Sequence, residues 1–307
     1  MILSILVSVY NFDCRALVEK LLWQLPDGCE VVVADDASTD AQMRLDNRAF
    51  IAQKESVRYW ESPENSGRAK IRNALARQAR GEWLLFLDCD AMPFDDDFLH
   101  RYIMEIGQAD VVCGGTQCMP HCPSPMMRLR YKYEQKYWKN NSAEKRNQRP
   151  YDSFTTFNFM IRKSVFDAIR FNSQCYEYGH EDTLFGRELA ERGVSIKHVD
   201  NAAIHTGLDA NGEFLKKTET ALVSLVRIDP GMTFPSGIAR AYRLLKRWRL
   251  LSLFRFWHSL SAKVVRSNLT GEHPSLMLFQ LYKLGVFCEL NKECGIPSFA
   301  EKKKVQE

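Results

Sequence analysis

The sequence predicts an α/β fold, a doubly wound and mostly parallel sheet followed by a C-terminal helical extension. Three observations carry that prediction. Short apolar runs typical of buried strands alternate with segments of helical spacing through roughly the first two-thirds of the chain. Two of those runs, 30–34 and 83–87, end directly in aspartates, and the carboxyl ends of strands are where open α/β sheets bind ligands. Beyond Asp229-Pro230-Gly231 the composition turns to Leu, Trp, Phe, Arg and Lys at helical spacing.

Taken in order, Leu3–Val9 is an Ile- and Val-rich strand that ends at Tyr10-Asn11. Residues 16–24 put Leu17, Leu21 and Leu22 on one helical face, and Pro26 and Gly28 stop it. EVVVA, 30–34, is a second strand, followed by Asp35, Asp36 and Asp40. A third short strand over 57–60 leads through Glu64-Asn65-Ser66-Gly67 into a basic helix over 68–80 that carries Lys70, Arg72 and Asn73. A turn feeding a helix N-terminus can hold phosphate; a solvated basic face is the plainer alternative.

GEWLLFLDCDAMP, 81–93, reads as a buried strand running into Asp88 and Asp90. Carboxylates that close repel unless a cation lies between them, and a hard divalent ion is the usual one. A helix cap or Asx-turn also favours aspartate after a strand. Asp95, Asp96 and Asp97 read as the cap and acidic first turn of a helix over 98–106. After a strand over 110–113, Cys113, Cys118, His121 and Cys122 lie close together without the paired spacing of a zinc site, and read as structural thiols. Basic residues interleaved with Tyr and Trp over 126–149 suggest a mobile flap over an anionic or carbohydrate ligand, in preference to a nucleic-acid surface. A strand over 154–161 and a helix over Lys163–Ile169 follow. Tyr178-Gly179-His180-Glu181-Asp182 then precedes an amphipathic helix that its acids could simply cap. Strand-like pieces over 194–199 and 203–207 close the series, and His205 by itself would suit an ordinary core or loop position.

With 307 residues, 45% of them hydrophobic and 26% charged, the chain can bury a sizeable core, and disorder is not the default expectation. Nine cysteines form no framework, and the apolar N-terminus lacks a basic leader region, so reduced thiols in a cytosolic compartment are expected. No apolar run approaches the ~18 to 20 residues of a membrane-spanning helix.

Read together, the motifs resemble a family 2 glycosyltransferase of GT-A fold over residues 1–207. SVYN, 8–11, resembles the first-strand motif without its usual proline. VVVADDASTD resembles the nucleotide-binding segment, with Ala37 where glycine is commoner. NSGRAKIRNALARQARGEWLLFLDCDAMP resembles the family's helix and following D-x-D strand, with Ile71 in the place of the usual alanine. YGHEDTLFGREL resembles the G-x-E-D motif, and AIHTG the late histidine.

The resemblance implies a role for each matching residue. Tyr10, Asp35 and Asp36 would surround the nucleotide base, with Asp36 the partner of a uracil-type N–H. Arg72 would lie near the nucleotide-sugar and Asp88 beside the ribose. Asp90 and His205 would hold a divalent metal, Mg2+ or Mn2+. Asp182 would be the general base, supported by Glu181. The chemistry asks for these parts independently: the departing diphosphate needs its charge neutralised, and the attacking hydroxyl needs a base. A single base implies one displacement, with inversion at the anomeric carbon.

The expected domains are a catalytic domain over 1–228, with a nucleotide-sugar half over 1–115 and an acceptor half over 116–228, and a basic amphipathic extension over 229–307. Residues 238–271 hold eight Arg and Lys and no acid, with Leu, Trp and Phe between them. This composition suits a segment lying on an anionic membrane surface at the cytoplasmic face; a helical subdomain with its basic side in solvent is the alternative. Leu244 stands where a processive synthase would carry the glutamine of Q-x-x-R-W, so transfer of one sugar is expected, to a lipid-linked oligosaccharide or other glycan. The competing readings are a nucleotidyltransferase, which would want a glycine-rich loop after the first strand, and a non-catalytic membrane- or nucleic-acid-binding protein.

Overall fold

Alternation along the first strands sorts the core into two layers. In the computed structural model, which describes residues 1–139, 141–172, 179–233 and 236–293 (side chains to 291), β1 spans Leu3–Val9. It is followed by α1 (Arg15–Trp23), β2 (Cys29–Asp35), α2 (Ala41–Ile51), β3 (Val57–Glu61), α3 (Arg68–Gln78) and β4 (Trp83–Asp88). Next come β5 (Ala91–Pro93), α4 (Phe98–Met104), β6 (Val111–Cys113), β7 (Thr116–Gln117), α5 (Arg128–Lys139) and α6 (Ala143–Asn147). β8 (Asn158–Arg162), α7 (Lys163–Ile169), α8 (Glu181–Glu191), β9 (Ile196–His198) and β10 (Ala203–His205) complete this part. Helices α9 (Asn211–Ile228), α10 (Gly237–Arg247), α11 (Leu251–Thr270) and α12 (Leu276–Glu293) follow.

By packing, the described residues fall into two units: 1–120, 134–172 and 181–207 form one, and 121–133, 179–180 and 208–293 the other. The first holds a seven-stranded sheet in the order β3-β2-β1-β4-β8-β6-β9, and a small sheet β5-β10-β7. In the large sheet only β8 runs against its neighbours, which agrees with the expected mostly parallel sheet. Leu3, Ile5, Val7, Val31 and Leu85 meet α1 and α4 on one face. Leu6, Val32, Leu84 and Phe86 meet α3, α7 and α8 on the other. That is a doubly wound sheet, because successive side chains of a strand point to opposite faces. Beneath β4, Phe86 stacks on Phe159 at 4.9 Å, and Phe166, Phe171 and Phe185 extend the layer. Each such ring pair contributes about 0.5–1.5 kcal/mol beyond its burial, so the strand carrying the D-x-D aspartates is firmly anchored.

The second unit packs α9, α11 and α12 around Leu129, Phe214, Leu215, Val265, Leu269 and Phe279. Its boundary falls after Gly207 and not at 228/229, because the apolar stripe of α9 is buried in this unit.

Three local expectations are corrected. The flap over 126–149 is helical: α5 and α6 form there, with Leu129 and Glu134 buried within the basic and aromatic run. Asp95–Asp97 do not cap α4: Asp97 makes no side-chain cap, while Asp95 pairs with Arg101 and Asp96 with Lys20. The strand expected from 154 begins at Asn158, since Phe154 leaves the ladder to pack on Phe159 and Phe185. Tyr178 and Lys302, Lys303 and Lys304 lie outside the described residues.

Candidate active site

Parallel pairing sets the site. It aligns Val9 with Asp35 and Ser8 with Asp88, so the chain leaves β1, β2 and β4 along one edge. Tyr10, Asp35, Asp36, Asp88 and Asp90 therefore lie at or just beyond that edge.

On the β1–β2 side the aspartates organise backbone. Asp35, fully buried, accepts from the Ser38 N–H and hydroxyl, both at 2.7 Å. The loop so closed holds Ala37 at φ +57°, the left-handed region that glycine adopts without cost. Asn11 reaches the same loop, its N–H donating to Ser38 Oγ at 2.8 Å, which leaves Tyr10 45% exposed at the rim. Asp36, 4% exposed, accepts from Ser66 N–H and Oγ through Oδ1 and from Gly67 N–H through Oδ2, at 2.8–2.9 Å. The turn before α3, a candidate phosphate holder in the sequence, thus already gives two of its N–H groups to a carboxylate of the chain. Gly67 sits at φ +82°, where a side chain would be strained.

Arg72 is the largest buried side chain at the site, 2% exposed. Its Nη2 lies 2.5 Å from Asp88 Oδ1, and its Nη1 3.5 Å from Glu181 Oε1. This guanidinium joins the D-x-D strand to the G-x-E-D segment, whose residues are far apart in sequence. Nη1 has an ion-pair neighbour but no hydrogen-bond acceptor. Burial alone would push the Glu181 carboxyl up, yet the charges of Arg72 and Arg68 hold it below its usual value. Asp182 follows in the first turn of α8, its Oδ1 accepting from Thr183 N–H at 2.7 Å.

Asp90 and His205 come together through the small sheet, in which β10 pairs antiparallel with β5 and His205 stands opposite Ala91. His205 Nε2 is 3.0 Å from Asp90 Oδ2. The backbone oxygen of Asp90 accepts from Thr206 N–H and Oγ1, and Gly207 abuts its carboxylate so closely that a Cβ would collide with it. On the far side of the imidazole, Glu134 Oε1 lies 2.7 Å from Nδ1. Burial works to lower the His205 pKa, but hydrogen bonds and charge from Asp90 and Glu134 raise it to about 9. Burial likewise works to raise Asp90, and His205 and Arg68 hold it low. Cys89, between the two aspartates, packs partly buried against the core.

Glu134 belongs to none of the family motifs. Its signal was being the sole acid in the basic run 128–139.

The pair fits a divalent cation in its donor types. An imidazole nitrogen faces a carboxylate oxygen, and a second carboxylate orients the other ring nitrogen, an arrangement common behind metal-bound histidines. Among the described residues no group of three or more His, Cys, Asp or Glu forms a ready-made cage, so other positions would fall to substrate oxygens and water.

Comparison with known proteins agrees with this architecture. The mannosyltransferase PcManGT from Pyrobaculum calidifontis, solved with GDP-Man and Mn2+, superposes with a TM-score of 0.60 at 16% identity, covering 94% of this chain and 87% of that one. TarS of Staphylococcus aureus, residues 1–349 with UDP-GlcNAc, gives 0.51 at 18% identity over 95% and 91%. These likenesses show a shared GT-A fold. In sequence, an uncharacterized glycosyltransferase of Haemophilus influenzae is 38% identical over 92 residues, 29% of each chain. The putative glycosyltransferase EpsH of Bacillus subtilis is 32% identical over 119 residues, 36% of this chain and 32% of that protein. The matched stretches thus span about a third of these relatives' length. The family model described as glycosyl transferase family 2 matches residues 4–170, more than half of the chain. With its ordered motifs gathered on one edge of a doubly wound sheet, the chain belongs to glycosyltransferase family 2.

Proposed function

We propose that the protein is a metal-dependent, inverting glycosyltransferase that moves one sugar from a nucleoside-diphosphate sugar, a UDP-sugar, to an acceptor hydroxyl. The observation that carries this reading is the joining of Asp88 and Glu181 by the buried Arg72, beside the Asp90–His205 pair. Donor binding is assigned to 1–115, with Tyr10, Asp35 and Asp36 around the base, Asp36 through the loop it braces, and Asp88 at the ribose. The buried Arg72 Nη1, which has only the Glu181 carboxylate near it at 3.5 Å, would suit an oxygen of the diphosphate. Asp90 and His205 are the residues that would hold Mg2+ or Mn2+, which as a Lewis acid would neutralise charge on the leaving diphosphate. Two neighbours support these choices, being solved with UDP-GlcNAc and with GDP-Man and Mn2+.

Asp182 acts as general base, taking the proton of the acceptor hydroxyl as it attacks the anomeric carbon. Glu181 stays ionised under Arg72 and Arg68 and braces the guanidinium beside it. With one assigned base and no carboxylate assigned as nucleophile among the described residues, the configuration would invert. A cavity of about 530 Å³, lined by residues of both halves including Phe94, Arg101, Gln117 and Trp138 but by none of the proposed catalytic or metal residues, is a candidate place for part of the acceptor. An aromatic face beside polar groups suits a sugar, here a lipid-linked oligosaccharide or other glycan of surface polysaccharide assembly. The basic helical segment beyond Gly231 would keep the enzyme peripheral on the cytoplasmic face of an anionic membrane.

The test is hydrolysis of UDP-, GDP- and TDP-sugars with and without Mg2+ or Mn2+, read as sugar released to water. Metal-dependent release from UDP-sugars supports the proposal, release from GDP- or TDP-sugars alone overturns the UDP assignment, and none from any class refutes the whole reading. Asp182→Asn should abolish transfer while donor binding stays within about twofold of wild type; intact turnover in that variant removes the base assignment.

A further inference from the structure

Helix α11 has two apolar faces. One, with Val265 and Leu269, is buried in the helical unit. The other carries Leu253, Phe256, Trp257, Leu260 and Val264, at i, i+3, i+4, i+7 and i+11, and all five are exposed, from 37% for Trp257 to 74% for Val264. At about 100° per residue these positions form one stripe roughly opposite the buried face. Trp248 and Leu250, in the link from α10, are exposed as well. A helix packed on one side has no need of a second apolar stripe, and contiguous exposed apolar surface of this kind marks an interaction face.

Charge identifies the partner. From Gly231 to Gly271 there is no acidic residue, while Arg240, Arg243, Lys246, Arg247, Arg249 and Lys263 are exposed. A second copy of this face would bring like charges together, which opposes self-association. Phe, Trp and Leu flanked by Arg and Lys instead match the apolar boundary and anionic headgroups of a bilayer. No helix among the described residues is long and apolar enough to cross one. We infer that α11 lies in the plane of an anionic membrane surface, with Leu253, Phe256, Trp257, Leu260 and Val264 inserted and the cations of α10 and of the α10–α11 link at the headgroups. The inference rests on the peripheral placement proposed above and names the side chains that make it.

The experiment is co-sedimentation of the full chain with phosphatidylcholine vesicles holding either no or 30% phosphatidylglycerol. Binding is expected to the anionic vesicles only, and to weaken at least tenfold between 50 mM and 500 mM NaCl. Phe256→Ser with Leu260→Ser, at exposed positions outside the site, should reduce binding at least tenfold while the circular dichroism and donor hydrolysis remain those of wild type. Full binding by this variant overturns the assignment to α11 but leaves peripheral placement through another segment. Absence of binding to both vesicles overturns both, as does equal binding to the two. A wild-type dimer that the variant abolishes shows that a second copy covers the stripe, and overturns the membrane inference. Donor hydrolysis in the same samples reports on the transferase reading separately.

Discussion

Arg72→Lys separates the two carboxylates that the guanidinium holds together. Arg72 is 2% exposed, 2.5 Å from Asp88 and 3.5 Å from Glu181. A lysine presents one compact ammonium and cannot spread a planar fork between them. Removing a buried counter-charge entirely costs about 3–5 kcal/mol. Lysine keeps part of that, so a loss of about 2 kcal/mol is expected, a factor of ~30 in the folding equilibrium. For a domain of this size that is about 4–8 °C in the thermal midpoint. Circular dichroism melts at several pH values supply the check. Because Glu181 has its folded pKa held below the ordinary value, its stabilisation is present above about pH 4.3 and lost as the pH falls through the folded pKa. The gap between wild type and variant should therefore be largest near neutrality and close in acid. A lysine variant that melts with wild type at pH 7, or a gap that widens on acidification, refutes the coupling.

Three further outcomes are expected. Glu30 is buried and accepts from Ser4 Oγ, Arg58 Nε and the Arg80 N–H; burial would raise its pKa, but these bonds bring it below the usual value. Urea titrations should show Glu30→Gln destabilised by about 2 kcal/mol near neutrality and indistinguishable from wild type below the folded pKa. Gly207→Ala should push the Asp90 carboxylate aside, with a stability loss of about 1–3 kcal/mol, and weaken Mn2+ at the proposed Asp90–His205 site at least tenfold by calorimetry; unchanged Mn2+ affinity would contradict that metal assignment. Burial lowers the Lys283 amine to about 8, so the folded state sheds its proton before the unfolded chain does. Stability should rise between about pH 8 and pH 10.4, and Lys283→Met should remove that slope in pH-dependent melts.

The strands were legible because burial writes itself locally. LSILVSV, CEVVVAD and WLLFLD are apolar on both faces, as strands covered from both sides must be. The aspartates at their ends could be found for the same reason, since position along a parallel strand fixes which edge a residue reaches. What stayed hidden depends on tertiary partners. Glu134 lies among Arg, Lys and Tyr, and nothing local says that its carboxylate turns inward to His205. Asp36 matches a nucleotide-binding motif, yet its geometry also braces the Ser66-Gly67 turn, a bond across about 30 residues of chain. Asp95–Asp97 resemble a helix cap in sequence, but Arg101 of α4 itself takes Asp95 and the distant Lys20 of α1 takes Asp96.

The one reversed strand of the large sheet, β8, also bears on how the chain is made. β1, β2, β3 and β4 can assemble as soon as residue 88 has been synthesised, because each pairs with another of the four. Beyond them β4 offers its second edge, and its partner there, β8, does not emerge until residue 162. β6 pairs only with β8 and β9, so it must also wait. For that interval WLLFLD is an open, hydrophobic strand edge of the kind that templates aggregation. Chains arrested between 88 and 158 should therefore be insoluble, and those that continue past β9 should be rescued.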